Sequence, residues 1–181
     1  MLLEDDLFSI SNSLHHALNS AIQHGSKNIV RLLLEHPNAN PGFNNNELIK
    51  TALKYKKNDM LSLLISDYDL NPFEYKSTSE ILSETSSPEC LEILLNDSRY
   101  DKSFNLSSLL VSATMSRHDD ILLFLLNECK LESSDRFELA LFAASEKNNI
   151  KIMELLLADK RTIISNNFRL MYLKQIEKNF R

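Results

Sequence analysis

The stretch that decides the fold is VRLLLEHPNANP, residues 30–41, in which a run of leucines is followed by a polar loop ending in Asn-Pro. The stretch LSLLISDYDLNP, residues 61–72, repeats the leucine cluster, the polar break and the Asn-Pro pair 31 residues later. Recurrence at a fixed spacing is typical of proteins built from one small supersecondary unit. The two stretches therefore predict a repeated unit.

Three sets of positions recur at spacings of 30 or 31 residues along the chain. The first set is the last residue of each leucine cluster. The second lies thirteen residues earlier and is small in four of five cases, which indicates that two helices approach closely there. The third follows the cluster by two and is mostly acidic; since an acid opposes the dipole at a helix C-terminus, it indicates that the helix has just ended. The sets are Leu34, Ile65, Leu95, Leu126 and Leu157; Ala21, Ala52, Leu82, Ala113 and Ala144; and His36, Asp67, Asp97, Glu128 and Asp159.

The composition favours helices. The 181 residues are 43% hydrophobic and 25% charged, which predicts a folded chain with a real core. Only 2 glycines and 4 prolines are present, so the turn residues that a sheet needs are scarce. Good N-cap residues, Ser26, Ser87 and Asn149, share one register, and Pro88 follows its cap in the first helical position. Each unit therefore reads as helix, tight turn, helix and short loop.

The first unit carries a family resemblance. LNSAIQHGSKNIVRLLLEH, residues 18–36, has a Leu-x-x-Ala opening, a glycine before the second helix and a Val-x-x-Leu-Leu ending. These features resemble the ankyrin repeat, and NNIKIMELLLADKR, residues 148–161, resembles its second half. The units are shorter than the usual length of about 33 residues, and Asn-Pro loops stand where the family has a hairpin. Tetratricopeptide arrays are the alternative, but they lack a leucine cluster followed by a loop ending in proline.

We predict an all-α solenoid of about five stacked helix-turn-helix, ankyrin-like repeats with a C-terminal capping helix. A shift of 31 residues places Phe168 on Phe137 and Tyr172 on Leu141, so a first helix begins after the last repeat and nothing stacks beyond it. Residues 1–13 are predicted as an N-terminal cap or as the stub of a preceding repeat. The predicted repeats are residues 14–44, 45–75, 76–105, 106–134 and 135–165, and the capping helix is residues 166–181.

The sequence offers little for catalysis or metal binding. No two of the five histidines are spaced i, i+4, and the two cysteines form no C-x-x-C pair, so we predict no metal and no cofactor. Cys90 and Cys129 lie in or just after leucine clusters, where a cysteine is usually a small buried hydrophobe. We predict no enzyme; the catalytic alternative is a Cys/His-dependent enzyme that uses one of these thiols with His118.

Charge and hydropathy limit the partners. The net charge is −5, and residues 151–181 carry a positive charge on an otherwise acidic chain, which disfavours nucleic acid. The longest apolar run, residues 121–126, is far below the roughly 20 residues of a membrane span. We expect a cytoplasmic monomer without a membrane partner. The abundance of Asn, Lys, Ile and Ser suits an AT-rich genome of a protist, an intracellular bacterium or a large virus, which admits a host-directed effector in the host cytosol.

The resemblance implies a non-catalytic module that binds a partner protein on the concave face of the array, to inhibit or recruit it. An assembly or scaffold subunit acting through the array ends is the alternative. Family contact positions fall at the ends of first helices and at loop tips, where aromatic and arginine side chains supply most hot spots. Tyr55 and Arg99 rank above Tyr75, because Tyr75 shares the register of Phe137, which indicates the core between repeats at least as strongly as a contact position. The candidates are Gln23, His24, Lys54, Tyr55, Tyr75, Arg99, Tyr100, Met115, Arg136 and Lys147.

Overall fold

Pairs of short helices joined by tight turns make up the computed structural model, which describes residues 2–74, 78–85, 87–104, 106–131 and 135–165. None of the described residues is in a strand, and the predicted all-α class is confirmed. The helices are α1 (Leu2–His24), α2 (Lys27–Leu34), α3 (Phe43–Lys54), α4 (Asn58–Ser66), α5 (Thr78–Glu84), α6 (Pro88–Asn96), α7 (Ser107–Met115), α8 (Asp119–Glu128), α9 (Asp135–Glu146) and α10 (Ile150–Ala158).

The chain divides into two compact units, Met1–Lys102 and Ser103–Arg181. In the first unit, α1 packs against α2 and α3, α3 packs against α4, and α4 packs against α6. In the second unit, α9 packs against α7 and α10, and α7 packs against α8. In both units a first helix therefore contacts its own second helix and the first helix of the neighbouring repeat, which is how stacked repeats bury their apolar faces.

Two segments, residues 2–13 and residues 166–181, are those predicted to cap the array. Helix α1 runs without a break from Leu2 to His24, so residues 2–13, predicted as a cap or stub, lie in the same helix as the start of the first repeat. The predicted capping helix, residues 166–181, lies outside the described residues.

The turn between the two helices of a repeat has one geometry in the four repeats where it is described. One turn residue has a positive φ, and the N–H of the residue after it donates to the carbonyl of the small residue near the end of the first helix. This is the Schellman arrangement, which satisfies backbone groups that a helix end leaves unpaired. The positive-φ residues are Gly25, Lys56, Arg117 and Asn148, and the bonds run from Ser26 to Ala21, Lys57 to Ala52, His118 to Ala113 and Asn149 to Ala144 at 2.8–2.9 Å.

The leucine clusters supply the core. In each of α4, α6 and α8, two leucines three residues apart are fully buried, because that spacing puts them on the face toward the first helix. Burying one such side chain stabilises the fold by about 1.5–3 kcal/mol. The pairs are Leu61 and Leu64, Leu91 and Leu94, and Leu122 and Leu125.

The predicted starts of the second helices are confirmed in position. Ser26, Ser87 and Asn149 are the N-caps of α2, α6 and α10, and Pro88 is the first residue of α6. The side chains of Ser87 and Asn149 each accept a hydrogen bond of 3.3 Å from a backbone N–H of the first turn. Ser26 makes no such bond, so its helix starts on backbone geometry alone.

The Asn-Pro loops are held by side-chain turns. Asn40 Oδ1 accepts a hydrogen bond of 3.1 Å from the N–H of Gly42, and Asn71 Oδ1 accepts one of 2.9 Å from the N–H of Phe73. Each asparagine thus bonds the backbone two residues on, the usual way in which asparagine stabilises a turn. In these two loops an asparagine turn stands where the family has a hairpin.

Candidate protein-binding surface

Four of the predicted contact residues lie together in the first unit. Gln23 and His24 end α1, Lys54 ends α3, Tyr55 caps it, and all four side chains are exposed. Helices α1 and α3 pack side by side, and a Cβ placed on Gly25 would lie 3.5 Å from Lys57 Nζ, so the two turns are neighbours. We call Gln23, His24, Lys54 and Tyr55 the turn patch.

The turn patch has a partly ordered surface. The Lys54 ammonium lies 5.4 Å from the centroid of the Tyr55 ring, within the range of a cation–π contact. The Tyr55 side chain keeps 38% of its surface exposed. A ring nitrogen of His24, Nδ1, lies 2.8 Å from the carbonyl oxygen of Ser20, which fixes the ring on the end of α1. An aromatic ring and a cation are therefore offered to solvent in a defined arrangement.

The surroundings of the turn patch are basic. Lys27 begins α2, and Lys56 and Lys57 form the turn after α3, so four lysines including Lys54 surround the two adjacent turns. The whole chain carries a net charge of −5. This local excess of positive charge favours an acidic binding partner.

Arg99 lies in a different place and is engaged in the fold. Its guanidinium bonds both oxygens of Asp97 at 2.8 and 2.9 Å, and it also donates to Asp69, in the preceding repeat, at 3.0 Å. The Asp97 side chain is only 4% exposed. The hydrogen bonds from Arg99 hold the pKa of the Asp97 carboxyl below its usual value, and the same contacts raise the pKa of Arg99. Arg99 therefore ties two successive loops together.

The second unit contains the same device. Asp159 ends α10, and Arg161 bonds both of its carboxylate oxygens while donating to the carbonyl oxygen of Leu126 at 2.7 Å. Hydrogen bonds from Arg161 hold the pKa of the Asp159 carboxyl below its usual value. The third recurring position of the sequence, predicted to mark the helix end, is the C-cap in α4, α6 and α10, as predicted. The pairing of Asp97 and Asp159 with an arginine two residues later was not predicted, although the sequence Asp-x-Arg occurs at both positions.

The remaining described candidates are distributed over both units. Tyr100 lies half-buried beside Phe73, with ring centroids 6.1 Å apart. Met115 ends α7 and Lys147 follows α9; both are exposed, at the same end of two helices that pack together. Arg136 lies near the start of α9, about 16 Å along the helix from Lys147. Tyr75 lies outside the described residues.

A polar ladder between α1 and α3, of which His15 is the buried member, was not predicted. His15 is buried, and its Nε2 lies 3.1 Å from Glu47 Oε2 and 3.0 Å from Asn19 Nδ2. Asn19 Oδ1 in turn accepts a hydrogen bond of 2.6 Å from Thr51. Hydrogen bonds from Asn44 and then from His15 lower the pKa of Glu47. This ladder fixes the register of the two helices whose ends carry the turn patch.

The cysteines are not activated for catalysis. Burial raises the pKa of the Cys90 thiol, which donates to Asn58 Oδ1 at 2.9 Å. Burial, and next the charge of Glu128, raise the pKa of the Cys129 thiol. A nucleophilic cysteine needs a lowered pKa, because the thiolate is the reactive form.

Neither a metal cluster nor a membrane helix was found in the part of the chain that the structure describes. No three His, Cys, Asp or Glu side chains there are placed to hold a metal ion. No helix there is long and apolar enough to cross a membrane.

Comparison with known proteins gave one match. Residues 12–46 match the family model described as ankyrin repeat, which covers the end of α1, all of α2 and the first Asn-Pro loop. This is the unit that resembles the family most closely in sequence, and the resemblance is confirmed. Neither the curated proteins nor the solved structures gave a match.

Proposed function

We propose that this ankyrin repeat protein, a protein–protein interaction module by its family match, holds an acidic segment of its partner against the turn patch. The proposal is non-catalytic: the chain binds the partner on the concave face expected of a helical array and inhibits or recruits it. The observation that carries it is the grouping of exposed Tyr55 with the lysines of two neighbouring turns.

Tyr55 has the properties of an anchor residue. A tyrosine ring supplies a large contact area and a hydroxyl at low cost in conformational entropy. The contact with Lys54 restricts the ring further before a partner arrives. The lysines around it would raise the rate of encounter with an acidic surface more than the final affinity.

Arg99 has a different part in this proposal. Its side chain is committed to Asp97 and Asp69, so using it as a contact would require breaking bonds that join two loops. We assign Arg99 to supporting the array. Met115 and Lys147 offer a separate surface of the same kind in the second unit, with less charge and no aromatic ring.

Cross-linking with a lysine-reactive reagent after affinity capture from native cells tests the proposal. The turn patch predicts links from the partner to Lys54, Lys56 or Lys57. Tyr55→Ala should reduce capture at least about tenfold, as expected for a hot spot, and leave the melting temperature unchanged. Leu139→Ser is the matched control, since Leu139 is also an exposed apolar side chain but lies on α9, in the second unit. Links confined to Lys102, Lys130 or Lys160, or full capture by Tyr55→Ala, would move the site elsewhere.

The captured partner also decides between the two modes of action. If the partner is an enzyme, its turnover measured with and without the chain distinguishes inhibition from recruitment. For a source that lives inside another cell, capture from a host lysate is the corresponding experiment, and a host protein cross-linked at the turn patch supports the role of a host-directed effector.

A further inference from the structure

Two of the described second helices, α2 and α10, expose apolar side chains whose counterparts in the other repeats are polar or less exposed. On α2, Ile29 and Leu32 are 51% and 68% exposed, and on α10, Ile150 and Leu157 are 63% and 51% exposed. These are the second helices of the first and the last repeat. Apolar side chains exposed in groups on a folded protein often mark an interaction surface.

The repeat register shows what Ile29 lacks. The equivalent positions in later repeats include Met60, Cys90 and Ile152, and all three are buried. Cys90 shows which neighbour buries this position, since its thiol lies 2.9 Å from Asn58 Oδ1 at the start of the preceding second helix. Ile29 therefore occupies a position that the start of another second helix normally covers.

The last repeat exposes the other half of that contact. The residue at the start of α10, equivalent to Asn58 in the register, is Ile150. Where Asn58 accepts a bond from Cys90 within the chain, Ile150 would meet Ile29 of another chain in an apolar contact.

Charged groups repeat the same correspondence. Arg31 on α2 bonds Asp67, at the end of the next second helix, at 2.9 Å. The register equivalent of Arg31 in the last repeat is Glu154, and the equivalent of Asp67 in the first repeat is His36; both side chains are exposed. Stacking α2 of one copy on α10 of another would thus place the Glu154 carboxylate beside the His36 imidazole. The two groups are complementary, as Arg31 and Asp67 are, but the acid and the base have exchanged positions.

We propose that two copies of this chain associate head to tail. The contact joins the edge of α2 in one copy, which carries Ile29 and Leu32, to the edge of α10 in the other, which carries Ile150 and Leu157. This surface is separate from the turn patch and does not depend on the proposed function. Because the two faces differ, a pair of copies leaves one free face at each end, and further copies can add there unless the assembly closes into a ring. Two short helix edges form a small interface, so we expect a Kd between about 0.01 and 1 mM. At lower concentration the chain should be a monomer, which is the state predicted from the sequence.

Sedimentation velocity on the full chain and two variants tests the arrangement. Wild type should show a concentration-dependent series of oligomers. Leu32→Glu removes one face and Leu157→Glu removes the other, so each variant alone should stay monomeric. An equimolar mixture should form a dimer and nothing larger, because one intact face of each kind remains. Met115→Glu, an exposed apolar residue on neither face, is the matched control and should associate like wild type.

Each other outcome overturns the proposal. Monomeric wild type at about 1 mM means that the faces do not meet. A dimer formed by Leu157→Glu alone means that two α2 edges pair with each other, and a dimer formed by Leu32→Glu alone means the same for α10. Circular dichroism melting confirms that each variant is folded.

Engineered cysteines give a second, site-specific readout. Under mild oxidation, an Ile29→Cys variant mixed with an Ile150→Cys variant should form a covalent dimer, because the equivalent side chains of Cys90 and Asn58 touch within the chain. Either variant alone should form no more covalent dimer than wild type, which controls for the native Cys129. Equal cross-linking in the single variants would contradict the head-to-tail arrangement.

Discussion

The turns inside the repeats and the loops between them are built in different ways. Each described turn inside a repeat uses one positive-φ residue and one bond from the backbone to a buried small residue. The residue with positive φ varies among glycine, lysine, arginine and asparagine, yet the geometry is the same. The turn is held by backbone groups, which every sequence provides.

The loops between repeats depend on particular side chains. The first two loops are closed by Asn40 and Asn71, and later loops by Asp97 with Arg99 and by Asp159 with Arg161. These side chains bond the local backbone and, through arginine, reach a preceding repeat, at Asp69 in a loop and at Leu126 near the end of α8. The helix pair therefore tolerates sequence change at small cost, whereas the junction between repeats does not.

The largest expected effect comes from removing an arginine of the loops. Arg99→Ala should lower the free energy of unfolding by about 2 kcal/mol, because it leaves the nearly buried Asp97 carboxylate without its charged partner. Urea denaturation at neutral pH measures the change. Arg31→Ala is the matched control: its pair with Asp67 is half-exposed on both sides, so it should cost less than about 1 kcal/mol. Equal losses in the two variants would contradict a special role for the loop arginines.

The loss of stability caused by Arg99→Ala should depend on pH. The pKa of Asp97 is lowered in the folded chain, so its stabilising effect is fully present above the unfolded pKa of about 3.9 and is lost as the pH falls through the folded pKa. The difference in unfolding free energy between wild type and Arg99→Ala should therefore shrink between pH 7 and about pH 3. A difference that stays constant over this range would show that Arg99 acts through packing alone.

A smaller effect should come from the backbone of the inner turns. Gly25→Ala should cost about 1–2 kcal/mol, since φ is 76° there and an L side chain is strained in that region. The reverse change in an equivalent turn, Arg117→Gly, should raise the unfolding free energy by about 0.5–1 kcal/mol, because φ is 57° at that non-glycine residue. Thermal melts of both variants measure whether each change lowers or raises the stability. Destabilisation by Arg117→Gly would mean that the arginine side chain contributes more than its backbone strain costs.

The difference between turns and loops also explains what the sequence could predict. The spacing of leucines and small residues predicted the paired helices, since the small-residue position is buried in every repeat and each of α4, α6 and α8 buries two leucines of its cluster. Ser87 and Pro88 predicted a helix start correctly because capping is local. The bond from Arg99 to Asp69 spans 30 residues and has no local pattern, so the sequence indicates only that the acid marks a helix end.

The candidate contact residues show the same limit. Tyr55 and His24 were identified at helix ends, and the structure places those ends side by side. Arg136 was grouped with them as a loop residue, but it lies at the opposite end of its helix from Lys147. No local sequence pattern indicates that His15 is buried, because its partner Glu47 is 32 residues away. Position within the repeat is readable from the sequence, whereas pairing between repeats requires the structure.

The smallest expected effect compares two serines in the same position of different repeats. Ser87 caps α6 through a bond to the N–H of Cys90, and its hydroxyl lies 2.6 Å from a Glu89 oxygen, whereas Ser26 starts α2 without a side-chain bond. Ser87→Ala should therefore cost about 1 kcal/mol, and Ser26→Ala less than about 0.5 kcal/mol. Urea denaturation of the two variants under one condition measures both. Equal costs would mean that the serine side chain caps α2 in solution as well, and that the backbone alone does not set the start of a second helix.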